Sequence, residues 1–384
     1  MTRHGPTVRF LHSADWQLGM TRHFLEGEAQ ARFAQARIDV IGRMGKAAQE
    51  HGAEFLVVAG DVFETNQVSS QTVRRTLAAL ETVPVPVFLL PGNHDPLDAG
   101  SVYRSSTFLA ARPAHVTVLE DGAIHEVRPG VEVTGAPWFS KRPLTDLVAE
   151  AAADLEPAPG VRRVLVAHGA LAEMMDFGNP AAISQAGAER AIAEHRVDYL
   201  ALGDRHSTTP WGATGRIWHA GAPEPTDYDE ANQRTTLLVE LGPDTCEVTR
   251  LELGRWTFAL GDFDLDGPER LGALERWLGD RPAKDRSIVK LKLRGTISMT
   301  ENAQLEELLQ RNRDLYAAIE EWERHKDIAV RPDDDDFEGL GLGGFAEVAL
   351  GRLRAVAAGA GEDAEAARDA LGLLIRLAGK GVAR

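Results

Sequence analysis

At 384 residues the chain is long enough to bury a large core and to hold two or three domains. Its lone cysteine, Cys246, excludes a disulfide framework; with no apolar leader and no run near the ~20 apolar residues of a membrane span, the expectation is a soluble cytoplasmic protein. A formal charge of −16 argues against strong unaided binding of nucleic acid, because that affinity comes from Lys and Arg neutralising phosphates.

Short apolar, often β-branched runs predict strands at Val8 to Leu11, Phe55 to Ala59, Val85 to Leu90, Val161 to Ala167 and Val197 to Leu202. Between the first three lie helical patterns, Glu26 to Glu50 and Val68 to Glu81, with apolar residues such as Phe33, Ile38, Ile41 and Met44 at three- and four-residue spacing. Strand and helix alternating in this way predict an α/β fold whose central strands are buried on both faces. Each strand runs out into a polar group: Asp15-Trp16-Gln17, Gly60-Asp61, Gly92-Asn93-His94-Asp95, Ala167-His168-Gly169 and Gly203-Asp204-Arg205-His206. In such sheets a site forms outside the carboxyl ends of the strands. Oxygen and nitrogen donors gathered there suit a pair of divalent ions doing hydrolytic chemistry.

In order and spacing these groups resemble the calcineurin-like metallophosphoesterases. The runs "LHSADWQLG", "VVAGDVFET", "LLPGNHDP" and "AGAPEPTDYDE" look like the SbcD-type nuclease subunits within that family. The resemblance implies an α/β layered sandwich of mixed β-sheets flanked by helices over residues 1–255. It also implies two metal sites sharing one carboxylate. Asp61 would bridge; Asp15, Gln17 and His206 would hold one ion, and Asn93, His168 and Asp204 the other. His94 would be the catalytic histidine facing the scissile phosphate, with Asp95 orienting it through the second ring nitrogen. Gln17 and Asp204 stand where the family has histidines. More oxygen and less nitrogen should favour Mn²⁺, with Mg²⁺ as the other hard candidate, over Zn²⁺. DNA, a symmetric dimer and an SbcC-like coiled-coil ATPase partner follow from the same resemblance.

Other residues carry smaller expectations. His12 reads as a structural histidine beneath the site. His219, at the end of another strand, could replace a missing imidazole, though the pattern does not favour it. Arg205 could touch phosphate or pair with a carboxylate, and Glu64 reads as solvated surface at the mouth of the site.

From residue 256 to 330 the pattern predicts a small α/β capping domain. Its elements are a strand from Trp256 to Leu265, a helix from Pro268 to Leu278, a strand from Ser287 to Leu293 and a helix from Glu301 to Trp322. Lys290, Lys292 and Arg294 alternate with Val289, Leu291 and Leu293, which makes one strand face a candidate DNA-backbone contact. Residues 331–344, with Pro332 and four consecutive aspartates (Asp333 to Asp336), read as an acidic, glycine-rich linker. Two helices fill residues 345–384, Phe345 to Ala357 and Ala364 to Leu377. Their apolar faces (Phe345, Val348, Leu353 and Val356, then Leu371, Leu374 and Leu377) are too small to stand alone, so they either fold back on the capping unit or dock on another protein, and the resemblance favours docking on the ATPase. Three functional classes remain on sequence: a metal-dependent DNA nuclease, a phosphoesterase for a small nucleotide, and a catalytically weakened scaffold.

Overall fold

Alternation in the buried strands dictates the layering. In a computed structural model, which describes residues 5–174, 178–266, 269–322, 327–330, 345–361, 363–364, 366–367 and 370–371, successive side chains of each central strand enter different apolar cores. The chain runs β1 (Val8–Ser13), α1 (Glu28–His51), β2 (Leu56–Val58), α2 (Ser70–Leu80), β3 (Val87–Leu89), α3 (Ser106–Ala111) and β4 (Val116–Val118). It continues with β5 (His125–Arg128), β6 (Val131–Ala136), α4 (Leu147–Asp154), β7 (Arg162–His168), α5 (Gln185–Ala193) and β8 (Tyr199–Gly203). The short strands β9 (Thr209–Trp211) and β10 (Ile217–His219) precede the hairpin of β11 (Thr235–Leu241) and β12 (Cys246–Glu252).

Two six-stranded mixed sheets result, in the orders β12-β11-β1-β2-β3-β4 and β5-β6-β7-β8-β10-β9. Strands β1 to β4 run parallel in the first, β4 forming its edge, and the inner strands β6, β7, β8 and β10 run parallel in the second. Antiparallel strands close both edges of the second sheet and one edge of the first.

Phe10, Phe55, Val57 and Phe88 from the first sheet meet Val133, Val164, Val166 and Tyr199 from the second in one core. Phe10 stacks on Phe55 at 4.8 Å between centroids. The next residues along the same strands face outward. Leu11, Leu56 and Leu89 pack under Ile41, Met44 and Leu77 of the first two helices, and Leu165, Ala167 and Leu200 pack under Val148 and Ile192 of α4 and α5. The continuous apolar runs are therefore strands buried on both faces of a four-layer α/β/β/α sandwich. Ser69 caps α2 and Asp146 caps α4, each accepting from a backbone N–H three residues on. Among the described residues no helix is long and apolar enough to cross a membrane.

A second unit begins at Phe258, the first ending at Thr257. Strand β13 (Thr257–Asp264) leads into it, followed by α6 (Arg270–Gly279), β14 (Ser287–Ile297), α7 (Met299–Arg313), β15 (Ala318–Glu321), β16 (Asp327–Val330) and α8 (Phe345–Ala357). The expected helix from Glu301 to Trp322 is corrected to a helix that ends at Arg313. Asn312 turns its side-chain amide onto the Leu308 carbonyl, and the chain then re-enters as β15, whose Ile319 pairs parallel with Val289. Sheet pairing there overrides helix propensity. The acidic linker of residues 331–344 lies outside the described residues, as do Leu374 and Leu377.

The carboxyl-terminal segment packs back within this unit: Leu350, Ala357, Ala367 and Leu371 bury against Met299, with Leu353, Ala303 and Val330 beside them. The packing face of α8 is thus Leu350-Leu353-Ala357, whereas Val348 and Val356 are 59% and 46% exposed. The expected apolar face, which included Val348 and Val356, is corrected on that point.

Phe10 is fully buried between the sheets, so Phe10→Ala leaves a cavity that rigid strands cannot close. It should lower unfolding free energy by about 3–5 kcal/mol in a denaturant titration.

Candidate metal centre

Parallel strands leave their carboxyl ends on one edge, and there the polar groups from both sheets come together. The exits of β1 and β2 are zipped by backbone hydrogen bonds, Asp15 N to Gly60 O at 3.1 Å and Gln17 N to Asp61 O at 2.9 Å. Asp15, Gln17, Asp61 and Asp204 hold φ of +53°, +44°, +53° and +92°, a conformation that costs side-chain-bearing residues and clusters at functional sites. Two glycines make the approach close enough. A Cβ on Gly60, itself at φ +90°, would lie 2.2 Å from His168 Nδ1, and one on Gly92 would lie 2.2 Å from Asp61 Oδ1. These are the glycines of the Gly-Asp and Gly-Asn-His-Asp runs, so both motifs include their glycine for steric reasons.

Donor atoms of Asp15, Asp61 and His168 all lie within 4.8 Å of one another, and all three residues are buried. His168 donates from Nδ1 to the Ala59 carbonyl at 2.8 Å, which directs Nε2 into the site, 2.7 Å from the Asn93 amide, 3.5 Å from Asp61 and 3.6 Å from Asp204. With its amide turned over, Asn93 donates instead to both Asp61 oxygens at 3.1 and 3.2 Å and to His168 Nε2. On the other side, the Gln17 amide lies 3.2 Å from His206 Nε2, while Asp15 accepts from the Asp204 backbone N–H at 3.0 Å. The sequence-derived groups Asp15, Gln17, Asp61, Asn93, His168, Asp204 and His206 therefore occupy one cluster.

Its electrostatics demand positive charge. Burial pushes Asp15 up to about 7, with His206 and His168 only partly opposing. Burial also works against Asp61, yet the neighbouring His168 and His94 hold it below the ordinary carboxylate range. Although burial disfavours imidazolium, Asp61, Asp204 and Asp15 raise His168 well above its usual value. For His206 burial is outweighed by Glu230 and Asp15, which lift it to about 9. The carboxylates thus draw the histidines toward imidazolium, a balance that a cation would supply instead. The amide oxygen of Gln17 is buried and has no hydrogen-bond partner among the described residues. That orphaned acceptor, the three convergent donors and the oxygen-rich set fit hard divalent cations.

The group that orients His94 differs from the sequence reading. His94 Nδ1 lies 2.9 Å from the Glu64 carbonyl, leaving Nε2 at the half-exposed face, 3.9 Å from Asp61. Asp95 does not orient that ring. Fully buried, it accepts from Gly92 N–H at 2.8 Å, Phe63 N–H at 2.9 Å and Tyr103 O–H at 2.6 Å, and so holds the loop backbone. The orienting group for His94 is a main-chain carbonyl, which no side-chain motif can announce. Glu64 is half-buried and raised by burial, not solvated surface.

Of the other residues, His12 bonds Tyr199 O–H at 3.1 Å and the Leu202 carbonyl at 3.2 Å beneath the site, and burial lowers it to about 3. His219 accepts from Trp211 Nε1 at 2.8 Å and meets the Gly169 carbonyl at 3.1 Å, so both its nitrogens are engaged. Arg205 donates to Thr209 at 2.9 Å. In the second unit Arg294 pairs with Asp262 at 3.0 Å, and Lys290 and Lys292 lie over Trp322 at 5.1 and 4.6 Å.

Sequence reading assigned no role to Thr226 and Glu230, although both lie in the quoted run "AGAPEPTDYDE". Thr226 Oγ1 lies 2.6 Å from His206 Nδ1 and donates to Glu230, whose carboxylate also accepts the Thr226 and Asp227 N–H groups. This relay keeps His206 Nε2 aimed into the cluster. Trp138 was also missed: its indole N–H donates to the His168 carbonyl at 2.7 Å, and its ring meets the imidazole edge-on at 5.7 Å.

A family model for calcineurin-like phosphoesterases matches residues 8–246. The chain is 29% identical to the D subunit of nuclease SbcCD from Rhodobacter capsulatus over 349 residues, covering 77% of this chain and 82% of that one. It is 25% identical to the same-named protein of Escherichia coli K12 over 262 residues, 59% of this chain and 63% of the other, and so spans just under two thirds of that relative. A shorter match, 35% over 91 residues, covers 23% of this chain and 19% of the DNA double-strand break repair protein Mre11 of Archaeoglobus fulgidus.

If the Thr226 relay aims His206, Thr226→Val should weaken Mn²⁺ binding about 10- to 100-fold by calorimetric titration, while Thr226→Ser keeps wild-type affinity.

Proposed function

The chain belongs to the calcineurin-like phosphoesterase family, and on that premise we propose that it is a metal-dependent DNA nuclease cleaving phosphodiester bonds, the nuclease subunit of an SbcCD-like repair complex. The observation that carries this reading is the convergence of Asp15, Asp61 and His168, flanked by Asn93 and Asp204 on one side and by Gln17 and His206 on the other. Asp61, whose carboxylate lies with the Asp15 carboxylate and the His168 imidazole within one group of donors, would be the shared ligand. Two divalent ions bound here, with Mn²⁺ favoured by the donor set and Mg²⁺ next, would supply Lewis-acid polarisation of the phosphodiester and a water of lowered pKa.

The chain's own residues do the rest. His94, with Nδ1 held on the Glu64 carbonyl, offers Nε2 on the open side of the cluster to bind a phosphoryl oxygen and to hand a proton to the leaving sugar oxygen. Asp95 keeps the loop carrying Asn93 and His94 rigid through three accepted hydrogen bonds. Backbone hydrogen bonds from Asp15 N to Gly60 O and from Gln17 N to Asp61 O hold the two carboxylate-bearing loops together, which limits the reorganisation that reaction requires.

The acidic balance of the chain implies that a partner supplies much of the grip on DNA. A coiled-coil ATPase would meet the carboxyl-terminal region, where Val348 and Val356 of α8 stand exposed. A symmetric dimer belongs to the same proposal.

Labelled single- and double-stranded DNA should be cut by the purified chain with Mn²⁺, and EDTA should stop cleavage. Asp61→Ala should abolish both cleavage and tight metal binding. His94→Ala should lower turnover by about 10²- to 10⁴-fold with metal stoichiometry unchanged; loss of metal along with activity would make His94 a ligand and overturn its assigned role.

A further inference from the structure

After β6 the chain crosses the edge of the second sheet where His168 emerges, because β6 and β7 run parallel and in register up to Ala136 and Ala167. The crossing is pinned at its start. Trp138 donates its indole N–H to the His168 carbonyl and its backbone N–H to the Pro91 carbonyl at 3.2 Å, and its own carbonyl accepts from Leu97 at 2.8 Å. One residue is thus fastened both to the strand bearing His168 and to the loop bearing Asn93 and His94.

The residues just after Trp138 are exposed and combine an aromatic ring with two cations. Phe139 is 54% exposed, so its ring is open to solvent and available to stack. Lys141 and Arg142 come next, both exposed, and among the described residues neither pairs with a carboxylate. Both follow closely on Trp138, the residue fastened to the His168 carbonyl. The basic face of β14 differs on this point, since Arg294 is already neutralised by Asp262 and both lysines lie over Trp322.

We propose that the segment from Phe139 to Arg142 is a contact for single-stranded DNA next to the metal cluster. Phe139 stacks on an unpaired base flanking the scissile phosphodiester, and Lys141 and Arg142 take neighbouring phosphates. An aromatic ring with adjacent cations is the combination that binds single strands without sequence preference. A base inside a duplex has no free face for Phe139, so the contact acts on a frayed or single-stranded end. The Trp138 anchor fixes this contact relative to His168 and Asn93 and so sets the register of the strand. The inference rests on the nuclease reading of the site and names the strand it handles.

The test uses the full-length chain with Mn²⁺ and a labelled phosphorothioate oligo-dT, read by fluorescence anisotropy across a salt series. Phe139→Ala should weaken binding roughly five- to thirtyfold, the effect of losing one stacked base. Lys141→Gln with Arg142→Gln should lower the slope of log affinity against log salt by about 1.4, at about 0.7 per phosphate on a single strand. All three side chains are exposed, so folding is not at issue. Wild-type affinity and slope in both variants would overturn the proposal, and so would a Phe139→Ala loss of equal size on blunt duplex. Wild-type hydrolysis of bis(p-nitrophenyl) phosphate, a diester too small to reach the segment, tests the nuclease reading separately. Its absence would remove that reading, whereas its presence with unaltered DNA binding in the variants would remove only this contact.

Discussion

The hydrogen bond from His168 Nδ1 to the Ala59 carbonyl is the constraint on which the site depends. Ala59 leaves the first sheet and His168 ends a strand of the second, so this one bond fastens the two sheets where their parallel strands terminate. It also sets the imidazole: with Nδ1 committed to a carbonyl, only Nε2 can address Asp61, Asn93 and Asp204. The approach is possible because Gly60 has no side chain, and any Cβ there would collide with the ring. A second fastening, from the Asp204 N–H to Asp15, joins the exit of β8 to the exit of β1. Packing between the sheets and chemistry at their edge are therefore parts of one arrangement.

Buried carboxylates give that arrangement its character. Asp15 and Asp61 sit out of water, where an isolated charge is expensive, and the histidines beside them are drawn toward imidazolium as the available compensation. Positive charge from bound cations would serve the same purpose with better geometry, which is the physical content of the proposed metal centre. Gln17 and Asp204 alter the balance without emptying the site. Gln17 brings an amide oxygen that none of the described residues satisfies, and Asp204 brings another carboxylate within 3.6 Å of His168.

Much of this was legible in the sequence because it is carried by local words. Strand ends, the glycines before Asp61 and Asn93, and the donors themselves stand in contiguous runs, and the double-sided burial of the strands showed in their unbroken apolar character. Contacts with no local mark are the ones that escaped. The partner of His94 is the main-chain carbonyl of Glu64, so a carboxylate next in sequence, Asp95, drew the assignment that belongs to the backbone. β15 follows a helical pattern and becomes a strand only because β14 offers it an edge. The exposed sides of α8 and the packing of Leu350 and Leu371 depended on which face meets α7, which periodicity alone leaves open.

If Asp61 is shared by two cations, anomalous diffraction from crystals grown with Mn²⁺ will show it most directly. Two anomalous peaks should flank the Asp61 carboxylate, one toward Gln17 and His206 and the other toward Asn93, His168 and Asp204. A single peak, or none at saturating Mn²⁺, would contradict the shared-ligand centre.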